Sequence, residues 1–352
     1  MTPKVMIILG SASDIKIAEK STSVLEKLKI PYSVKVASAH RTHDKVKELV
    51  VDATNKGVEV FIGIAGLAAH LPGAIAAYTY KPVIGVPVNA KLGGLDALYA
   101  CSQMPFPAPV ATVGIDRGDN GAILAGQIIA THDNEVKENI SKLRLAYQEK
   151  VRIGEKEVLS KLNGNYIDKE FLANQENKHA TSNVEKLNDA PLISIIAGSY
   201  TDLKTAKKVT SVLDKIGISY DLAIISPIRY ADKFENYMKK MENVKLFIAV
   251  SGLSALVTGS IVALSEKPVI GVPCSNNDDV HDALFTMVQM PPGVPVGTVG
   301  TDNGRNAAIL AGEILGISSE KIKENLKWIK YKMQNYRNWF NELRKRCGYE
   351  NW

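Results

Sequence analysis

The feature that most constrains this chain is that it contains one folding unit written twice. Ser11, Ser13 and Asp14 return as Ser199, Thr201 and Asp202, and Ser38 with Arg41 returns as Ser226 with Arg229, at a constant shift of 188 residues. After a two-residue deletion, Pro82-Val-Ile-Gly-Val-Pro87 returns verbatim as Pro268-Val-Ile-Gly-Val-Pro273, and Gln103-Met-Pro105 returns as Gln289-Met-Pro291, at a shift of 186. In this register His40 faces Ile228 and His70 faces Leu256. A copy without either histidine keeps the rest of the pattern. Folding therefore needs neither, and both are the first candidates for chemistry.

The chain has 352 residues and 45% hydrophobic content, enough for two cores of about 150 residues each. We read 1–153 as a catalytic unit, 154–190 as a polar linker rich in Asn, Lys and Glu with some helix, and 191–352 as the second unit. No apolar run approaches the roughly 18 residues that a membrane span needs, and the first residues lead into a strand rather than a signal peptide, so a cytoplasmic protein is expected. Cys101, Cys274 and Cys347 share no paired spacing, which argues against disulfides and zinc clusters. The net charge of +6 arises largely from lysines and arginines crowded near the C-terminus, with no nucleic-acid recognition motif beside them. No nucleic-acid partner is expected.

Within each unit apolar runs alternate with helical patterns. Val5–Leu9 is continuously apolar, as a strand buried on both faces should be, and the following helix places Ile17, Val24, Leu25 and Leu28 on one face with Ser13 or Asp14 as its N-cap. Further strands are expected at 34–37, 58–64, 83–86 and 110–113, and helices at 44–53, 74–78, 95–102 and 122–129. Such a succession folds as an α/β unit, a parallel sheet covered by helices on both faces in three αβα layers, because parallel strands need crossover connections. Here that unit is duplicated in tandem.

Ligands of such sheets bind beyond the carboxyl ends of the strands, where the distinctive loops of this chain lie. Gly10-Ser-Ala-Ser-Asp14 offers hydroxyls and backbone N–H groups suited to a phosphate, and a carboxylate suited to sugar hydroxyls, although the same pattern is also a common N-cap. Ser38-Ala-His-Arg-Thr42 sets a hydroxyl, an imidazole and a guanidinium side by side, the guanidinium able to grip a phosphate through paired hydrogen bonds. Gly66-Leu-Ala-Ala-His-Leu-Pro-Gly73 lets backbone approach a ligand closely.

Together the three loops closely resemble those of the class I PurE family, the 5-(carboxyamino)imidazole ribonucleotide mutases of purine biosynthesis. The resemblance continues through Pro82–Val88, Gln103–Pro105 and Pro109–Val113 to Ala130-Thr-His-Asp133, and returns weakened over 190–333. It implies a flavodoxin-like αβα fold, octameric assembly of single units, no metal and no organic cofactor. It also implies a ribonucleotide substrate whose carboxyl group passes from the exocyclic nitrogen to a ring carbon by way of carbon dioxide. Imidazoles titrate near neutral pH and can both give and take a proton, and the resemblance points to His40 as that acid and base. It further implies Ser11, Ser13, Ser38 and Arg41 as the phosphate grip and Asp14 as the partner of the ribose. His70, with the backbone of Ala68, Ala69 and Leu71, would hold carbon dioxide or the carboxylate.

Three positions depart from the family pattern. Leu67 stands where glycine is usual, His43 where proline is usual, and Pro107 where glycine is usual, whereas the second copy retains Gly293 at the last of these. Leu67 is expected to restrict the carboxylate loop. A second expectation concerns Ile322, Leu326, Ile329, Met333, Tyr336, Phe340 and Leu343, spaced as the stripe of a helix buried in a groove or against a partner helix and read as an assembly element, a stripe the first copy matches at Val136, Ile140, Leu143 and Tyr147 and then loses at Lys150. The leading reading is a tandem mutase with one catalytic copy per chain, self-associating as a tetramer that imitates an octamer of single units. Two alternatives stay open: direct carboxylation of the aminoimidazole ribotide by dissolved carbon dioxide, and a nucleotide-binding regulatory module without turnover. The direct carboxylases usually show SAHKT, and Gly252-Leu-Ser-Ala-Leu256 loosely resembles their loop.

Overall fold

The computed structural model describes residues 2–161, 191–275 and 282–331. The first copy runs β1 (Val5–Leu9), α1 (Ile15–Lys27), β2 (Tyr32–Val36), α2 (His43–Asn55), β3 (Val60–Gly66), α3 (Leu71–Ala77), β4 (Val83–Val88), α4 (Leu95–Ser102), β5 (Ala111–Thr112), α5 (Gly118–Ile129) and α6 (Asn134–Lys161). The second runs β6 (Ile193–Ala197), α7 (Leu203–Ile216), β7 (Tyr220–Ile224), α8 (Ala231–Lys240), β8 (Leu246–Ser251), α9 (Leu256–Leu264), β9 (Val269–Pro273), α10 (Asp282–Val288), β10 (Gly297–Thr298) and α11 (Gly304–Leu315), followed by helix α12 over 320–331. α6 carries helix through 161, into the segment read as linker, and 162–190 lie outside the described residues.

Each copy forms a five-stranded parallel half-sheet, and the halves join into one ten-stranded sheet of order β2-β1-β3-β4-β5-β10-β9-β8-β6-β7. The join is the antiparallel pair Thr112↔Thr298, two residues that are themselves repeat equivalents. An approximate twofold axis therefore passes between them. The expectation of two separate cores is corrected by this join. On one face a single apolar cluster runs from α1, α5 and α6 through to α7, α11 and α12, while the other face carries one cluster per copy, under α2, α3 and α4 and under α8, α9 and α10.

Both copies bring a glycine into close helix contact. A Cβ on Gly118 of α5 would lie 2.3 Å from the Ile17 carbonyl oxygen, and one on Gly304 of α11 would lie 2.5 Å from that of Thr205. α1 with α5, and α7 with α11, can approach this closely because no side chain intervenes.

The last described helix of each copy packs on its own copy, Asn139 of α6 donating to the Leu28 carbonyl at 3.1 Å and Asn325 of α12 to the Ile216 carbonyl at 2.7 Å, and also reaches across to the other copy. Ser141 of α6 donates to Glu266 at 2.5 Å, and Arg144 to the Ser265 carbonyl at 2.6 Å. In the mirror contact, Lys330 of α12 donates to the Thr79 carbonyl at 2.9 Å. The described part of the C-terminal stripe, Ile322, Leu326 and Ile329, is thus buried within the chain's own core, where a partner surface was expected. Met333, Tyr336, Phe340 and Leu343 lie outside the described residues. In α6, Val136 and Ile140 are buried, Leu143 and Tyr147 pack against the same cluster, and helix continues past Lys150.

Candidate active site

Strand order decides which loops meet. β1 lies between β2 and β3, so the loops after all three open side by side at their carboxyl ends, the switch point at which flavodoxin-like sheets bind ligands. Gly10–Asp14, Ser38–Thr42 and Gly66–His70 converge there.

In the first loop, Ser11 Oγ accepts from the Ser13 amide at 3.3 Å and from Ser13 Oγ at 2.9 Å, closing a single 3₁₀ turn at Ala12–Asp14. The expected caps, Ser13 and Asp14, make no side-chain cap bond to α1; the capping oxygen is that of Ser11, one turn earlier. The Asp14 carboxylate is instead buried beside Ser13, whose hydroxyl donates to it at 3.1 Å, and burial raises its pKa above the ordinary carboxylate value. In the second loop Ser38 Oγ accepts from the Arg41 amide at 3.3 Å, and Thr42 Oγ1 accepts from the Ser38 amide at 2.9 Å. The Arg41 side chain is exposed, with no ion-pair partner among the described residues.

The two histidines meet across these loops. His40 Nε2 lies 2.8 Å from His70 Nδ1, with ring centroids 4.9 Å apart and planes tilted by 57°. One ring must donate and the other accept, so the pair holds a single proton between its facing nitrogens and cannot carry two there. Both rings are exposed to the cleft.

His70 is set by a tight turn. Leu67 (φ 57°) and Ala69 (φ 35°) adopt left-handed backbone, and the Ala69 amide donates to the Gly66 carbonyl at 3.1 Å. Leu67 enters the region that glycine would occupy freely, with its side chain 53% exposed, at a cost of about 1–2 kcal/mol. The substitution therefore strains the turn without changing its course: Leu253 and Ala255 (φ 52° and 48°) repeat the same turn in the second copy. Ala69 and Leu71 are buried, and Ala68 is exposed at the cleft.

The other departures act on the supports of the site. His43 opens α2, where its Nε2 lies 2.8 Å from the Tyr78 hydroxyl at the end of α3, tying together the two helices that follow the histidine loops. Pro107 leaves a mark in the opposite copy. Asn120 of α5 donates to the carbonyls of Met290, Pro291 and Val294 at 3.3, 2.9 and 3.3 Å and accepts from the Gly293 amide at 2.9 Å. Its equivalent, Asn306 of α11, donates to the carbonyls of Met104 and Pro105 at 3.0 and 3.3 Å. Pro107 has no N–H to offer in return, and Asn306 Oδ1 is left buried without a partner among the described residues. Sequence reading missed both asparagines. The available signal was an asparagine, 186 positions from its equivalent, at the same place near the start of two largely apolar helices.

Comparison with known proteins agrees with this architecture. The model of the AIR carboxylase family matches the chain twice, over residues 4–150 and 192–336. The chain belongs to the AIR carboxylase family. A relative from Methanothermobacter thermautotrophicus, named a probable N5-carboxyaminoimidazole ribonucleotide mutase, is 60% identical over 94% of this chain and 98% of its own length. One of the same name from Methanobrevibacter smithii is 55% identical over 95% of this chain and 100% of its own. A mutase from Methanocaldococcus jannaschii is 55% identical over 42% of this chain and 90% of its own length, the size of one copy. Among the described residues no helix is long and apolar enough to cross a membrane, and no cluster of three or more His, Cys, Asp or Glu could hold a metal ion.

Proposed function

We propose that this protein is the carboxyl-transfer enzyme of purine biosynthesis that converts 5-(carboxyamino)imidazole ribonucleotide to 4-carboxy-5-aminoimidazole ribonucleotide, an isomerase with one catalytic copy per chain. The observation that carries the reading is the imidazole pair of His40 and His70, 2.8 Å apart across the loops that follow β2 and β3, in a chain 60% identical to a relative named for this reaction.

Ser11, Ser13, Ser38 and Arg41 hold the 5′-phosphate, with Arg41 free to supply charge-assisted hydrogen bonds, and Asp14 faces the ribose hydroxyls. The carbamate N–C bond breaks, its electron pair stays on nitrogen, and a proton from His40 neutralises that nitrogen while carbon dioxide is released into the cleft. The electron-rich ring carbon then bonds to carbon dioxide, and His40 takes the proton from that carbon, returning to its starting state. His70, hydrogen-bonded to His40, positions the imidazole. The backbone of Ala68, Ala69 and Leu71 polarises the carboxylate oxygens. No proton is gained or lost overall, as an isomerisation requires.

The chain works in the cytoplasm as a self-associated tetramer of tandem units. Purified protein supplied with the carbamate ribotide, without ATP, should accumulate the ring carboxylate. Formation of that product only from aminoimidazole ribotide and bicarbonate would sink the mutase reading in favour of direct carboxylation.

A further inference from the structure

The second copy keeps the cleft and changes its chemistry. Its three loops line a cavity of about 130 Å³ bounded by Ser199, Asp202, Arg229, Ser251 and Leu256. The polar positions Ser11, Ser13, Asp14, Ser38 and Arg41 of the first site are kept as Ser199, Thr201, Asp202, Ser226 and Arg229. Ser199 Oγ lies 2.6 Å from Thr201 Oγ1 and donates to Asp202 at 2.8 Å, and Ser226 Oγ accepts from the Arg229 amide at 3.3 Å.

Two hydroxyls have appeared where the histidines were lost. Ser251 and Ser254 occupy the places of Ala65 and Ala68. Ser251 is 4% exposed, lines the cavity, and its Oγ has no hydrogen-bond partner among the described residues. Burying an unpaired hydroxyl is unfavourable, so a polar group placed there points to a ligand that completes it. The mouth of the cavity has turned apolar as well. Ile228, Leu253 and Leu256 line it at 70, 69 and 46% exposure, and Tyr200 and Tyr230, where the first copy has Ala12 and Thr42, are 78 and 53% exposed beside Thr201 and Arg229. Exposed branched and aromatic groups around a polar floor suit the faces of a flat heterocyclic base.

We infer that the second copy is a binding site, without turnover, for a nucleoside 5′-monophosphate. Ser199, Thr201, Ser226 and Arg229 take the phosphate, Asp202 the ribose hydroxyls, and the apolar mouth the base, while Ser251 supplies a hydrogen bond that the first copy lacks. Ile228 and Leu256 can neither donate nor accept a proton, so the ligand leaves unchanged. The ligand class rests on reading the first copy as a ribotide site; the existence of the site rests on the repeat and the unpaired hydroxyl.

The test is calorimetric titration of the full chain carrying Arg41→Ala, which weakens the first site, with AMP and with 5-aminoimidazole ribonucleotide. At least one probe should bind at one site per chain. Adding Arg229→Ala should weaken it by about 10-fold or more, adding Ser251→Ala by a few-fold, and adenosine should bind about 10-fold more weakly than AMP. Absence of binding by both probes, or affinity indifferent to Arg229→Ala, would overturn the inference. So would a change in sedimenting mass on Arg229→Ala with unchanged titration, since the cleft would then be a contact between chains. Turnover measured separately on the chain with Arg229→Ala alone should match that of the unaltered chain; loss of turnover in the unaltered chain would count against the first-copy reading and leave the titration to decide the second.

Discussion

His40 and His70 lie 30 positions apart in sequence and 2.8 Å apart in space, and neither is needed for folding, since the second copy folds with isoleucine and leucine in their places. Replacing His40 by asparagine should therefore leave the fold and ribotide binding in place while turnover falls by about 10²-fold or more. Retention of near-normal turnover in that variant would remove His40 from the mechanism. Arg41→Ala should act differently, raising the apparent KM more than it lowers kcat, because its exposed guanidinium is proposed to hold the phosphate and not the reacting carbon. Both residues were legible in the sequence because they sit in compact loop motifs. Their mutual geometry was not, since it depends on β1 separating β2 from β3.

Among the elements, α5 and α11 hold the two copies together through equivalent asparagines with unequal partners. Asn120 is fully engaged, whereas Asn306 lacks the donor that Pro107 cannot supply. Asn120→Ala should consequently destabilise the chain by about 1 kcal/mol more than Asn306→Ala, a difference that denaturant titration of the two variants can resolve; equal losses would mean that the Gly293 bond contributes nothing. A second asymmetry lies at the far ends of these helices. Glu313 of α11 is 2% exposed and donor-bonded by Lys330 at 2.7 Å, and burial pushes its carboxyl up to about 7 even though the Lys330 ammonium pulls it down. Its folded pKa lies above the ordinary 4.5, so the folded chain holds this proton more tightly than the unfolded chain does. The resulting stability is present in full below about pH 4.5 and is lost as pH rises through about 7. Glu313→Gln, which copies the Gln127 already present in the first repeat, should flatten this part of the Tm-versus-pH curve. An unchanged slope would show that Glu313 does not titrate in that window.

For the whole molecule, the ten-stranded sheet makes one chain equivalent to a closed pair of single units. Four chains would then supply the eight copies of the proposed assembly. Sedimentation equilibrium at micromolar concentration should give the mass of four chains, and a stable monomer would exclude this assembly. The burial of α12 also changes what the C-terminal stripe means. Ile322, Leu326 and Ile329 are covered within the chain, so any surface that joins chains must be built from other residues.

The sequence by itself determined the duplication, the alternation of strand and helix, and the loops proposed to carry the chemistry, because each is written in local patterns: apolar runs, the shift between repeats, and short polar motifs. Its strand limits erred at β2, which the apolar pattern placed at 34–37 and the structure places at Tyr32–Val36, because an edge strand is half exposed and carries little apolar signal. Only the tertiary structure decided that the two half-sheets fuse at Thr112 and Thr298, that α6 and α12 each reach across to the other copy, that Pro107 costs Asn306 a hydrogen bond, and that the Ser251 hydroxyl in the second cleft has no partner among the described residues. Each of these depends on groups brought together from distant parts of the chain, and pairing over such separations is set by sheet order and packing, which no local window of residues records.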